Sequence, residues 1–190
     1  MYARLADNTL LFLREIRPDD KERLLASMEC LSERSRQRRF LGPKHTLSPS
    51  ELRYLTEVDG QNHYAIVAVD VEDEDHIVAV ARFVRLAEDP AAAEAAITVC
   101  DALQGKGLGT LLARRLSDAA RDRGVERLTA SIASENRPAL KLMRKIDERL
   151  QGTIGSSVTD VVARLPMRSA DELGEEAASA DAPPAAASAA

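Results

Sequence analysis

Gln104, Gly105, Lys106, Gly107, Leu108 and Gly109 follow an apolar strand-like run and open a helix-like one. Glycine at such a bend lets the backbone approach a ligand with no Cβ in the way. The N–H groups of a helix's first turn have no intrahelical acceptor, and the helix dipole favours negative charge beside them. The chemistry suited to this bend is the grip of a phosphate or pyrophosphate. Two other phosphate loops do not fit. A nucleotide-hydrolysing loop reads GxxxxGK[ST], whereas Lys106 stands between glycines. A dinucleotide fold spaces its glycines GxGxxG near its first strand, whereas this loop lies mid-chain with different spacing.

These groups need elements to position them. Residues 10–17 read as a first strand stopped by Pro18. Asp19 or Asp20 can then cap a helix with Leu24, Leu25, Met28 and Leu31 on one face. Gly42, Pro43 and Pro49 mark 40–50 as a loop, and Ser48 or Ser50 caps a short helix carrying Leu52 and Leu55. Residues 63–70 (HYAIVAVD) and 76–85 (HIVAVARFVR) form a predicted hairpin. Residues 94–100 are the next strand. Residues 108–123 are a helix with Leu108, Leu111, Leu112, Leu116, Ala119 and Ala120 on its apolar face, ended by Gly124. A strand at 127–133 and a helix at 136–150 follow, with Pro138 where a missing N–H is harmless. The last strand is 158–165. From 167 the chain turns to Ala, Ser, Asp, Glu and Pro, the composition of a disordered acidic tail. The expected organisation is one α/β domain at 10–166 and a tail at 167–190.

The 190 residues suffice for one core. Net charge is −5, and the tail sets five acids against Arg168, so the remainder is near neutral. That balance argues against nucleic acid and anionic membranes as partners. Arg34, Arg36, Arg38 and Arg39 read as a solvated helix end or loop. No apolar run of about 18 residues is present to span a bilayer, and no signal segment opens the chain, so a cytoplasmic location is expected. Cys30 and Cys100 form no CxxC pair and are expected as buried thiols. His45, His63 and His76 lack metal-ligand spacing with one another or with the cysteines, so no metal is expected. Glu72, Asp73, Glu74 and Asp75 read as a solvated hairpin tip.

The pattern Gln-x-x-Gly-x-Gly between a fourth strand and a long helix resembles that of the GNAT acyltransferase superfamily. The likeness spans residues 13–165. It includes Arg14-Glu15-Ile16-Arg17-Pro18-Asp19-Asp20, Asp101-Ala102-Leu103-Gln104 and Asn136-Arg137-Pro138-Ala139-Leu140. The runs SERSRQRRF, HYAIVAVD and AEAAITVCDALQGKGLG look like the catalytic domain of bacterial Pat-type protein lysine acetyltransferases.

The resemblance implies a GNAT fold, with a mixed, mostly antiparallel twisted sheet flanked by helices, and acetyl-CoA as donor. Backbone N–H groups of Gln104, Gly105, Lys106, Gly107, Leu108, Gly109 and Thr110 would hold the pyrophosphate, with the Lys106 charge nearby. Backbone groups of Thr98 and Val99 would pair with the pantetheine arm as an added strand, with Ile97 also at the cofactor, and Asn136 would hydrogen-bond the arm. Glu94, the only carboxylate between Pro90 and Cys100, would be the general base. The need is physical: a lysine amine, with pKa about 10.4, is mostly protonated near neutrality and must lose a proton before it attacks. The Val99 N–H would stabilise the tetrahedral oxygen. Relatives often carry a tyrosine where this chain has Met143, and Gly-Phe where it has Asp147-Glu148. The implied acceptor is a protein lysine, with acyl-CoA synthetases as typical targets. The alternatives are a small amine or a non-catalytic acyl-CoA sensor.

Overall fold

The computed structural model describes residues 1–73 and 75–165. The tail expected at 167–190 lies outside the described residues. Strands β1 (Tyr2–Arg4), β2 (Leu10–Glu15), β3 (His63–Asp70), β4 (Ile77–Arg85), β5 (Ala92–Val99), β6 (Arg127–Ala133), β7 (Gln151–Ile154) and β8 (Val158–Arg164) form one sheet, ordered β1-β2-β3-β4-β5-β6-β8-β7. Every neighbouring pair is antiparallel except β5 with β6. Helices α1 (Lys21–Ala26), α2 (Glu33–Phe40), α3 (Pro49–Thr56), α4 (Leu108–Asp122) and α5 (Arg137–Ile146) flank it.

The central strands are apolar on both faces because helices cover both. Tyr64, Ile66 and Ala68 of β3 join Leu108, Leu112 and Leu116 of α4 in one cluster. The alternate residues Ala65, Val67 and Val69 join Leu24 of α1 and Met28 and Leu31 just beyond it. Period-two alternation thus divides β3 between two cores. Gly124, at φ +76°, ends α4 in the left-handed conformation that glycine adopts freely. Ser48 caps α3 in a reciprocal pair with Glu51.

Three parts depart from the sequence reading. Strands β1 and β7 carry little hydrophobic pattern, since neither has a buried residue. The arginine-rich segment forms a complete helix, α2, although none of its residues is buried. Asp20 makes no side-chain cap of α1. Its carboxylate is fully buried and accepts from both Arg14 guanidinium nitrogens at 2.7 Å, from the Arg17 N–H at 2.8 Å and from Arg23 at 3.3 Å.

The expectation of two free thiols is corrected: Cys30 and Cys100 are joined as a disulfide, with Cα atoms 5.1 Å apart. The turn after α1 folds back over the end of β5, where the Asp101 N–H donates to the Cys30 carbonyl at 3.2 Å. Seventy residues of sequence hide that proximity.

Candidate active site

β5 meets β6 at three residue pairs only, Ala92 with Arg127, Ala93 with Leu128 and Glu94 with Thr129. Beyond Glu94 the two strands part, and a cleft of about 650 Å³ opens between them. The Cys100 N–H donates to Val78 of β4 at 2.9 Å. Backbone direction alternates along an antiparallel ladder, so Ile97 and Val99 turn their N–H and C=O groups the other way, into the opening. The Val99 carbonyl accepts from the Gln104 side chain at 3.0 Å. By the same alternation Thr98 turns its backbone groups toward β4, and it is the rest of the residue that lines the cleft.

The glycine bend closes one end of this cleft. Gly105 and Gly107 have φ of +76° and +95°, a conformation that costs a side-chain-bearing residue about 1–2 kcal/mol. Among the described residues, no acceptor pairs with the N–H groups of Gly105, Lys106, Gly107, Leu108 and Gly109. Five unpaired donors at the start of a fifteen-residue helix make an anion site.

Glu94, Ile97, Thr98, Val99, Gln104, Gly105, Gly107, Gly109, Thr110 and Asn136 all line the one cleft. Two other expected residues turn away from it. The Leu108 side chain is fully buried in the core, leaving only its backbone to the bend. Lys106 pairs with Asp7 at 2.9 Å. Asn136 caps α5, its Oδ1 accepting the Ala139 N–H at 3.3 Å, which leaves its amide N–H groups to offer. Met143, in the place of the family's tyrosine, is buried at the wall. Neither Tyr54 nor Tyr64 lines the cleft. Asp147, in the place of the family's glycine, accepts the Arg149 and Arg164 N–H groups at 2.9 Å and ties the end of α5 to β8.

The opposite wall was not read from the sequence. It comes from α2, with Arg82 of β4 behind it. Arg38 reaches Glu135, next to Asn136, at 3.1 Å. Arg39 lies over the Phe40 ring, 5.0 Å from its centroid. Arg82 is 5 % exposed and donates to the Leu55 carbonyl at 3.1 Å, with the His63 Nε2 at the same distance. Burial, together with the Arg39 charge, pushes the Arg82 pKa down to about 9. Burial, with Arg82 beside it, pushes His63 down to about 4, so this imidazole is neutral. The one available signal was an arginine in the middle of the apolar run HIVAVARFVR, where a buried charge demands a reason.

The family model described as an acetyltransferase (GNAT) domain matches residues 11–148. The chain belongs to the GNAT family. It is 34 % identical over 134 residues to an acetyltransferase of Pseudomonas aeruginosa, covering 70 % of this chain and 72 % of that one. It is 35 % identical over 139 residues to the acetyltransferase Pat of Mycolicibacterium smegmatis, covering 73 % of this chain and 40 % of that longer protein. Among solved structures, the GNAT domain of S. lividans PAT superposes with a TM-score of 0.77 at 27 % identity, over 87 % of this chain and 96 % of that one. This GNAT protein is therefore an acetyl-CoA-dependent N-acetyltransferase whose mixed sheet follows the fold of its solved relatives. Among the described residues no helix is long and apolar enough to cross a membrane.

Proposed function

We propose that this acetyltransferase acetylates lysine side chains of proteins, an acyl-CoA synthetase among them, in the cytoplasm, with Glu94 as general base. The observation that carries the reading is the parting of β5 from β6 immediately after Glu94. It leaves the outward backbone groups of Ile97 and Val99 to pair with an extended pantetheine arm, while the bend at Gly105 and Gly107 takes the diphosphate. Glu94, exposed at the point where the strands diverge, stands where an incoming amine meets the end of that arm. It accepts the ammonium proton, and the freed nitrogen attacks the thioester carbonyl. The Val99 N–H donates to the oxygen that becomes negative. The departing thiolate, with a thiol pKa near 8.5, needs no strong acid; Met143 supplies none. Similarity to Pat, together with the sequence likeness to Pat-type enzymes, supports a protein lysine over a small amine.

The test is transfer of labelled acetyl from acetyl-CoA to a lysate and to purified acyl-CoA synthetases, repeated with Glu94→Gln. Label should appear on protein lysines and fall about 100-fold in the variant with acetyl-CoA affinity retained. Label confined to small amines would overturn the acceptor. Coenzyme binding with no transfer to anything would make the protein a sensor.

A further inference from the structure

The disulfide sits at a junction. Cys100 directly follows Val99, the last residue of β5, and Cys30 precedes the segment whose Leu31, Ser35 and Arg39 wall the acceptor side. Three hydrogen bonds cross the same seam. The Asp101 N–H donates to the Cys30 carbonyl at 3.2 Å, the Ser32 N–H to the Asp101 carboxylate at 3.2 Å and the Gln104 amide to the Ser35 hydroxyl at 3.3 Å. A third chemically active group joins the sulfurs: a His76 ring nitrogen lies within 4.8 Å of both. His76 is exposed, Cys30 half-buried and Cys100 buried, so small reagents approach from one side and meet Cys30 first. Nucleophilic thiols typically sit in such partly exposed places beside a basic group. The spacing of these three residues in sequence gave no sign of the cluster.

We propose that Cys30 and Cys100 form a reversible disulfide, made and broken by exchange with low-molecular-weight thiols and disulfides, which locks the acceptor wall onto the coenzyme strand. The chemistry balances. The Cys30 thiol loses its proton to solvent, with the His76 ring alongside as a local acceptor. The thiolate attacks one sulfur of a small disulfide RSSR. A Cys30–SR mixed disulfide forms, and RS⁻ leaves and is protonated to RSH. The Cys100 thiolate then attacks the Cys30 sulfur and expels the second RSH. Two cysteine thiols are oxidised and one RSSR is reduced to two RSH. In a compartment where thiols are kept reduced, an exchangeable pair is in character, since disulfides there are commonly transient or redox-sensing. The lock's effect on the wall rests on the cleft assignment above; its chemistry does not.

The experiment equilibrates the full chain in glutathione buffers of graded ratio, quenches with iodoacetamide and reads intact mass. Two alkylated cysteines should give way to none as the buffer becomes oxidising, and return on reversal. Cys100→Ser should accumulate one glutathione on Cys30, whereas Cys30→Ser should stay unmodified at its buried partner. The oxidised form should melt roughly 5–10 °C above the reduced one. Oxidation should lower the KM for the amine acceptor about threefold or more, with acetyl-CoA affinity unchanged, an effect expected when one wall stops moving. Cysteines that alkylate at every ratio overturn the proposal, as does a bond that survives the most reducing buffer. Protection of the reduced thiols that a chelator removes would make the cluster a zinc-type site instead. Reversible exchange with an identical acceptor KM in both forms would overturn the lock. Mass and melting still report on the exchange should no acetyl transfer be found.

Discussion

On one side of the cleft the groups that face the opening are mostly backbone, the N–H groups of Gly105, Gly107, Leu108 and Gly109 and the outward edge of Ile97 and Val99, with the Glu94 carboxylate where the strands part. On the other side they are the long side chains of Arg38 and Arg39, with Arg82 behind them. The first wall depends on conformation, which glycine and a helix start impose over a few consecutive residues. The second depends on charges brought together from α2 and β4 and held by partners far off in sequence, such as Glu135 for Arg38. On the proposed reading, the wall of backbone takes the part of the coenzyme common to all reactions of the family. A wall of side chains is where a choice of acceptor can be written without disturbing it.

Asp20 offers the largest separation of the two. Its fully buried carboxylate holds Arg14, Arg23 and the Arg17 N–H at the start of α1, away from the cleft. Asp20→Ala leaves the partly buried Arg14 guanidinium without its counter-ion and should cost about 2–3 kcal/mol of stability in urea unfolding. The fraction that stays folded should bind acetyl-CoA with wild-type affinity. An equal loss of coenzyme affinity would mean that the two walls are one cooperative unit.

The opposite break is made at Gly107. Nothing lies within 4 Å of a Cβ built there, so the constraint is the φ of +95° and not crowding. Gly107→Ala should therefore cost about 1–2 kcal/mol of stability with little effect on coenzyme affinity. Gly107→Asp adds a negative charge where the diphosphate is proposed to lie. It should weaken acetyl-CoA binding about 100-fold, or about 2.7 kcal/mol, read by calorimetry. An Asp variant indistinguishable from the Ala variant would move the diphosphate elsewhere.

This contrast also explains what was legible in the sequence. The strand, bend and helix at 94–123 announce themselves because their determinants are local: an apolar run, glycines at required φ values and a helical stripe of leucines. The parting of β5 from β6 was not legible, because no residue pattern within either strand encodes where a parallel pairing stops. The cluster of Cys30, His76 and Cys100 and the Arg39, Arg82 and His63 group arise from chain reversals tens of residues apart. Strand β7, exposed at all four residues, has no hydrophobic alternation to read.

The smallest predicted effect probes the acceptor side through His63. Its imidazole is held neutral by burial and by Arg82, with the pKa pushed down to about 4 from an ordinary value of about 6.5. Between those values the unfolded chain binds a proton that the folded chain refuses. Stability therefore has its full value above pH ~6.5 and falls as the pH drops toward ~4. The ring is half-exposed, so solvent screening limits the loss to about 1 kcal/mol. The carboxylates with depressed pKa values, Asp7, Asp20, Glu51, Asp59, Asp101 and Glu135, add their own losses mainly below their unfolded values near 4. Urea unfolding at pH 7 and pH 5 thus isolates the histidine, and His63→Gln should flatten that interval. Arg82→Met removes the neighbouring positive charge while keeping the bulk, and should raise the His63 pKa in an NMR titration. If His63 titrates unchanged in that variant, burial alone keeps it neutral.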